Sequence, residues 1–311
     1  MLDCDAMLNR PLHGLLLVAV LGLTACSTED LPIVGRPAAS FDGGSVKTAD
    51  YKLRLKVLQE NYRKQTQAQG EVKFPSLDGP AGRKNETVLE TEAVQDLVDA
   101  ALIERQAQQR GLSVSEDDIN KSVDPFRTNY NALAAQQTQA GQPTLSFNDY
   151  LNSLGFSLDQ LRQQVRSRIF EQRLEDKMAR QREADALAML KQGNDIGAVA
   201  KKYSDDTASS GSGGGLTLKT TDIANVPQLK PAIDALQPGQ SSPDFVRVDD
   251  GYYFFKMTSR DATTTKMQYV IIYDPKPELY TAAKRAKWFV DAITGWEQQA
   301  HVKYNVGSRA A

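Results

Sequence analysis

The fold is decided by the stretch from Arg182 to Asp274, which contains READALAMLKQGNDIGAVAKKYSDD (182–206), GSGGG (211–215) and FVRVDDGYYFFKM (245–257). Apolar residues recur at helical spacing on both sides of Gly193-Asn194, which predicts two short helices joined by a turn. A third helix is predicted from Gln228 to Leu236, because Pro238-Gly239 ends the pattern. The glycine patch between them is predicted to be a loop.

Two strand patterns follow these helices. Phe245–Val248 and Tyr252–Met257 flank Asp249-Asp250-Gly251, which is the pattern of a β-hairpin with Asp-Gly at its turn. Lys266–Tyr273 is rich in β-branched and aromatic residues and predicts a further strand. The whole stretch is therefore predicted to form a small module of helices and strands.

The order of these motifs resembles a parvulin-type peptidyl-prolyl isomerase domain. The resemblance rests on the helix end Ala200–Asp206, the Gly213-Gly214 loop, the tract Leu236–Ser242 and the Gly-Tyr strand that begins at Gly251. It implies the fold of that family and a site that receives a proline-containing segment of another polypeptide.

The sequence departs from the family pattern at the strand that usually comes first and carries a histidine. No strand-like segment precedes Arg182, and the nearest match is Lys266–Tyr273, where Tyr269 falls at the histidine position. We therefore expect a permuted sheet, in which this late strand folds back beside Tyr252–Met257.

The resemblance also implies the site residues. The expected catalytic positions are Asp205 or Asp206 for the acidic or cysteine position, Tyr253 for the second histidine and Tyr269 for the first. The expected proline pocket consists of Leu229, Tyr253 and Phe255. Ordinary strand aromatics in a core are the simpler interpretation of the two tyrosines.

Isomerisation of an Xaa-Pro bond crosses a barrier of about 20 kcal/mol and breaks no bond. It needs an apolar pocket and hydrogen bonds that weaken amide resonance, and tyrosine hydroxyls replace imidazole only in part. Because the histidine pair is absent, we expect weak or lost catalysis with retained binding of extended chain. A working prolyl isomerase is the alternative.

Composition restricts the other function classes. The chain has 311 residues and a net charge of −2, which allows about two domains and argues against a general nucleic-acid binder. Its only histidines are His13 and His301, and its only cysteines are Cys4 and Cys26. We therefore predict neither a metal site, nor a cofactor, nor a disulfide framework.

Residues 1–26 have the pattern of an export signal. Arg10 precedes a short apolar run at 15–23, and Leu23-Thr24-Ala25-Cys26 resembles the lipobox of bacterial lipoproteins. The resemblance implies lipidation of Cys26, a membrane anchor and an outer-membrane location facing the periplasm. A plain signal peptide with a chance cysteine is the alternative, and residues 27–45 are predicted to be a tether.

Residues 46–181 are predicted to be helical, with a loop at 65–85 and capping boxes at Ser115 and Ser157. The order of helices resembles the N-terminal chaperone domain of SurA- and PrsA-like foldases, which implies extended polypeptide clients. A long helix is predicted from Leu158 to about Glu183. In the last part, 275–311, a helix at 278–300 is expected to pack on this helical domain, and Val302–Tyr304 to add one short strand.

The predicted fold class is therefore α+β, with a helical chaperone domain and a parvulin-like domain at 182–274. The predicted function is that of a membrane-anchored folding factor outside the cytoplasm. A structural lipoprotein with vestigial folds is a third hypothesis, which fails if the chain suppresses aggregation of an unfolded protein.

Overall fold

The computed structural model describes residues 36–68, 79–139, 143–153, 157–248, 251–273 and 285–307. These residues form two compact units. The helical unit comprises the described residues up to Arg173 together with those from Ala292 onward, and the sheet unit comprises those of Leu174–Asp291. The architecture is α+β, as predicted.

Five helices follow one another in the first part of the chain: α1 Thr48–Ala68, α2 Gly79–Gln109, α3 Glu116–Gln139, α4 Phe147–Ser153 and α5 Leu158–Lys191. Helix α2 lies in the core of the helical unit, because apolar residues three and four positions apart share one face. Its fully buried side chains include Val94, Leu97, Val98 and Leu102.

Capping boxes begin α3 and α5, which confirms both predicted helix starts. The Asp118 N–H donates to the Ser115 hydroxyl at 3.1 Å, and the Ser115 N–H donates back to the Asp118 carboxylate at 2.8 Å. Ser157 and Gln160 exchange the same two bonds at 3.1 and 2.7 Å. Each pair satisfies backbone donors that a helix start leaves unpaired.

The tether predicted for residues 27–45 is wrong in its last part. Strands β1, Ala39–Phe41, and β2, Gly44–Val46, form a hairpin whose turn contains Gly43 at φ 84°. The hairpin is completed by β7, Lys303–Tyr304, which pairs antiparallel with β1 and confirms the predicted terminal strand. β1 and β2 have three residues each, which is too few for alternation to be recognised in the sequence.

Two predicted helix bounds are also wrong. The loop predicted for 65–85 ends early, since α2 begins at Gly79 and has Pro80 in its first turn, where a missing N–H costs nothing. The short helix predicted after Glu183 does not exist separately. Helix α5 continues to Lys191 because neither glycine nor proline interrupts it before Gly193.

The sheet unit contains α6 Ile196–Tyr203, β3 Gly215–Lys219, α7 Lys230–Asp234, β4 Val246–Val248, β5 Gly251–Arg260 and β6 Thr264–Tyr273. Its strands are antiparallel in the order β3-β6-β5-β4. The last strand of this unit, β6, therefore lies between β5 and β3, which confirms that Lys266–Tyr273 folds back beside Tyr252–Met257. The predicted hairpin turn Asp249-Asp250 lies outside the described residues.

The two faces of this sheet carry separate apolar clusters, because successive side chains on a strand point to opposite faces. One face packs on α5 and α6 through Tyr252, Phe254, Val270 and Ile272. The opposite face, which we call the pocket face, packs on Ile223, Ile233 and Leu236 through Phe255, Met257 and Met267.

Helix α8, Lys287–Gln299, is the described part of the helix predicted at 278–300. Phe289, Ile293 and Trp296 are buried, whereas Val290, predicted on the apolar side, is 43% exposed. Within the helical unit, the Arg110 guanidinium lies 5.7 Å from the centre of the Trp296 ring. The C-terminal residues therefore contribute to the core of the helical unit.

Candidate functional site on the pocket face

Strand register brings the predicted tyrosines to one side of the sheet. Tyr269 on β6 pairs with Phe255 on β5, and Tyr253 lies two residues earlier on β5. The rings of Tyr253 and Phe255 are nearly parallel, with centroids 5.9 Å apart. Leu229 packs against the same cluster, so the three predicted pocket residues and Tyr269 share the pocket face.

Exposure differs among these residues. Phe255 is fully buried, whereas Leu229, Tyr253 and Tyr269 are each half-buried. The half-buried side chains form the accessible part of the pocket face, while Phe255 forms its floor. An apolar ring such as that of proline fits the chemistry of this surface.

Asp206 accepts hydrogen bonds from two side-chain hydroxyls, those of Tyr269 and Ser209. Its other carboxylate oxygen accepts the Ala208 N–H at 3.1 Å, which holds the turn after α6 in place. We call Asp206, Ser209 and Tyr269 the Asp206 network. Sequence reasoning missed Ser209, although a serine three residues after an aspartate is a common local partner.

These bonds determine the charges of the network. Donation from Ser209 and then from Tyr269 lowers the pKa of Asp206 below its ordinary 3.8. Burial, followed by the hydrogen bond to Asp206, raises the pKa of Tyr269 above its ordinary 10.0. Near neutral pH the carboxylate is ionised, and the phenol keeps its proton and donates a hydrogen bond to Asp206.

We expect Tyr269→Phe to lower the free energy of unfolding by about 1 kcal/mol, since it removes a partly solvated hydrogen bond to a charged group. The loss should be full between pH 3.8 and 10.0, the ordinary pKa values of the two groups. Below this window the loss should shrink, because Asp206 becomes protonated in the folded chain. Above it the loss should also shrink, because Tyr269 ionises at a lower pH in the unfolded chain than in the folded chain. Urea unfolding of both proteins across pH measures the difference, and a difference that does not change with pH contradicts the assignment.

Asp205, the neighbouring residue, has a different set of partners. Its side chain is 9% exposed, pairs with Arg182 at 2.8 Å and accepts the Tyr273 N–H at 3.0 Å. The Asp205 N–H donates to the Ile271 carbonyl at 2.7 Å, and the Ser204 hydroxyl accepts the Ile271 N–H at 3.1 Å. Ser204 and Asp205 therefore cover the edge of β6 beyond the end of β3.

Arg182 connects this segment to two aromatic rings. Its guanidinium lies 5.9 Å from the centre of the Tyr203 ring and 4.9 Å from the centre of the Trp288 ring, and it donates to the Tyr203 carbonyl at 2.7 Å. Burial raises the pKa of Asp205, and the Arg182 charge opposes that shift. Of the two predicted aspartates, the geometry joins Asp206 to Tyr269 and places Asp205 in the packing of the sheet unit.

The glycine loop packs directly on β6. Gly214 has φ 70°, and a Cβ there would lie 2.1 Å from the Tyr269 carbonyl oxygen. The Tyr269 N–H donates to the Gly214 carbonyl at 2.9 Å. This close approach positions the backbone of Tyr269, and hence its hydroxyl, beside Asp206.

Cys26, the predicted lipidation site, lies outside the described residues. Within the residues that the structure describes, histidine, cysteine and acidic side chains form no group of three able to hold a metal ion. The described helices include none that combines the length and apolarity needed to cross a membrane.

Two family profiles match the sequence. The PPIC-type PPIASE domain matches residues 158–259. The SurA-like N-terminal domain matches residues 13–175, which is more than half of the 311 residues. The chain belongs to the SurA/PrsA-like parvulin foldases. This family acts outside the cytoplasm, and its members combine a chaperone domain with a rotamase domain.

Among solved structures, the foldase protein PrsA from Streptococcus pneumoniae is similar over 84% of this chain and 92% of its own, with 14% identity and a TM-score of 0.24. No curated protein matches this foldase. The rotamase match ends at residue 259, so β6 and Tyr269 lie beyond the matched part. The strand that supplies Tyr269 to the Asp206 network is therefore placed by the structure rather than by the family profile.

Proposed function

We propose that this foldase binds extended segments of unfolded exported polypeptides, and that its sheet unit is a binding module with weak or lost isomerase activity. The observation that carries the proposal is the hydrogen bond from the Tyr269 hydroxyl to Asp206. It sits beside an accessible apolar surface made by Leu229 and Tyr253. The site thus combines a place for a proline ring with a hydroxyl that is already engaged.

Catalysis of isomerisation needs hydrogen bonds that favour the twisted amide over the planar one. The Tyr269 hydroxyl has one proton, which is engaged in the hydrogen bond to Asp206. The carboxylate itself is acceptor-only when ionised. A bound client amide would therefore contact an apolar surface and a negative charge. It would not receive a hydrogen bond from the Tyr269 hydroxyl, which already donates to Asp206.

Membrane attachment is part of the proposal. A lipidated Cys26 would hold the foldase at the outer membrane, facing the periplasm, where unfolded exported chains pass. Two or more acyl chains give stable anchoring, whereas a single chain is marginal. The support for this part is the lipobox-like sequence Leu23-Thr24-Ala25-Cys26.

A second candidate function is active prolyl isomerisation. The specific observation in its favour is the position of Asp206 and Tyr269 on the same face as the three pocket residues. Both candidates require that a proline-containing peptide binds. They differ in whether the bound peptide is isomerised faster than it is in solution.

The test is exchange spectroscopy of an Ala-Pro-Phe-type peptide with the purified foldase. We expect shifted peptide resonances, while cis/trans exchange stays on the uncatalysed scale of about 10–100 s. Leu229→Ser should weaken binding about tenfold through lost apolar burial. Val226→Ser is the matched control, since the Val226 carbonyl accepts the Leu229 N–H and the residue is 37% exposed.

Two results contradict the proposal. Accelerated exchange that disappears in Tyr269→Phe establishes an isomerase with a rebuilt site. If the wild type and Leu229→Ser bind the peptide with equal affinity, the binding site lies elsewhere on the chain.

A further inference from the structure

The outer edge of β3 carries no strand partner among the described residues. β3 is the last strand on its side of the sheet and pairs only with β6. Strand β4, at the other end of the sheet, has only Val246–Val248, whereas β3 has five residues. The longer row of backbone groups is therefore on β3.

The hydrogen-bond pattern identifies which β3 residues face outward. The Tyr269 N–H donates to the Gly214 carbonyl, and the Thr220 N–H donates to the Thr263 carbonyl, both at 2.9 Å. In an antiparallel pair, bonded and non-bonded positions alternate. The backbone groups of Leu216 and Leu218 therefore face β6, and those of Gly215, Thr217 and Lys219 face away from it.

All three outward-facing residues are exposed. Proteins usually protect a free edge with proline, a bulge or several charges, and β3 has only Lys219 at its end. The register of β3 with β6 is regular from Gly215 to Lys219. This edge is straight, hydrogen-bond competent and accessible.

The edge is continuous with the candidate site. Leu216 and Leu218 pack against the same cluster as Leu229 and Tyr269. The first residue of β3 follows Gly214, whose carbonyl is bonded to Tyr269. A strand added to β3 would lie about 5 Å from it and would place every second side chain on the pocket face.

We propose that β3 receives an extended client polypeptide as an added strand, whose end continues onto the pocket face. The inference rests on the proposed function and specifies how a client binds. Recognition through backbone groups tolerates many sequences, and alternate apolar side chains of the client extend the cluster of Leu216 and Leu218. The occupant is an extended segment with apolar residues at alternate positions and a proline near one end.

Thr217→Pro tests this directly. Proline removes the outward N–H of residue 217, which takes no part in the ladder with β6, so the sheet is retained. We expect a short synthetic peptide that alternates valine with serine and ends in Ala-Pro-Phe to bind at least tenfold more weakly. Thr217→Val keeps the N–H and is the matched control, with unchanged affinity.

Amide hydrogen exchange of the full chain provides the second measurement. On adding the peptide, exchange at Thr217 and Lys219 should slow at least tenfold. Leu216 and Leu218, whose amides already bond to β6, should change little. This readout does not depend on whether the proline variant folds.

The outcomes separate this inference from the proposed function. Peptide binding without slower exchange at Thr217 and Lys219 overturns strand addition and leaves client binding standing. No peptide binding overturns both. Exchange at Thr217 and Lys219 that is already slow without peptide, and becomes slower as the protein concentration rises, overturns the inference in favour of pairing between two copies of this chain.

Discussion

Gly214→Ala is expected to lower the free energy of unfolding of the sheet unit by about 4 kcal/mol, near the upper end of single substitutions. Two effects combine at this position. Alanine at φ 70° costs about 1–2 kcal/mol, since its Cβ crowds its own backbone. The added Cβ would also lie 2.1 Å from the Tyr269 carbonyl oxygen, so either the loop or β6 must move.

Calorimetry of the wild type and the variant measures this loss as a lower unfolding temperature. Gly215→Ala is the matched control one residue later, because a Cβ there meets nothing within 4 Å and its φ is not positive. A Gly214→Ala chain as stable as Gly215→Ala would contradict the close approach of the glycine loop to β6.

Asp205→Ala is expected to cost about 3 kcal/mol, because it removes one partner of a largely buried ion pair. Arg182, whose side chain is 21% exposed, would keep its charge without this carboxylate. The Tyr273 N–H would also lose the acceptor that holds the end of β6. The loss should appear in urea unfolding and as faster amide exchange at Tyr273.

Asp206→Ala provides the comparison, since the neighbouring carboxylate is half-buried and bonds two hydroxyls rather than a cation. We expect a smaller loss of stability there and a larger change in binding of a proline-containing peptide. If the two variants were equally destabilised, the division between a packing aspartate and a site aspartate would be wrong.

Local patterns in the sequence predicted the elements whose stabilising contacts are close in the chain. Ser115 and Ser157 begin helices through partners three residues away. The hairpin of β4 and β5 follows from alternation around an Asp-Gly turn. The family resemblance was needed to bring Tyr253, Tyr269 and Leu229 to one face, because their cluster spans more than 40 residues of chain.

Some contacts between remote segments escaped prediction. One of them is the pairing of β1 with β7, which lies at the other end of the chain. The sequence offers two adjacent aspartates with the same chemistry. Arg182, on a helix 23 residues before Asp205, and Tyr269, 63 residues after Asp206, distinguish their surroundings. Their separate environments are a property of the packed structure rather than of the tract Ser204–Asp206.

The position of β6 also has a consequence for the order of events when the chain is made. A polypeptide emerges from the ribosome, and from an export channel, with its N-terminus first. β3 is complete 45 residues before β6 begins, since β3 ends at Lys219 and β6 begins at Thr264. Until residues 264–273 emerge, β3 lacks its partner in the sheet, and the β4–β5 hairpin can form locally. The nascent chain thus passes through a stage in which its sheet cannot yet be completed.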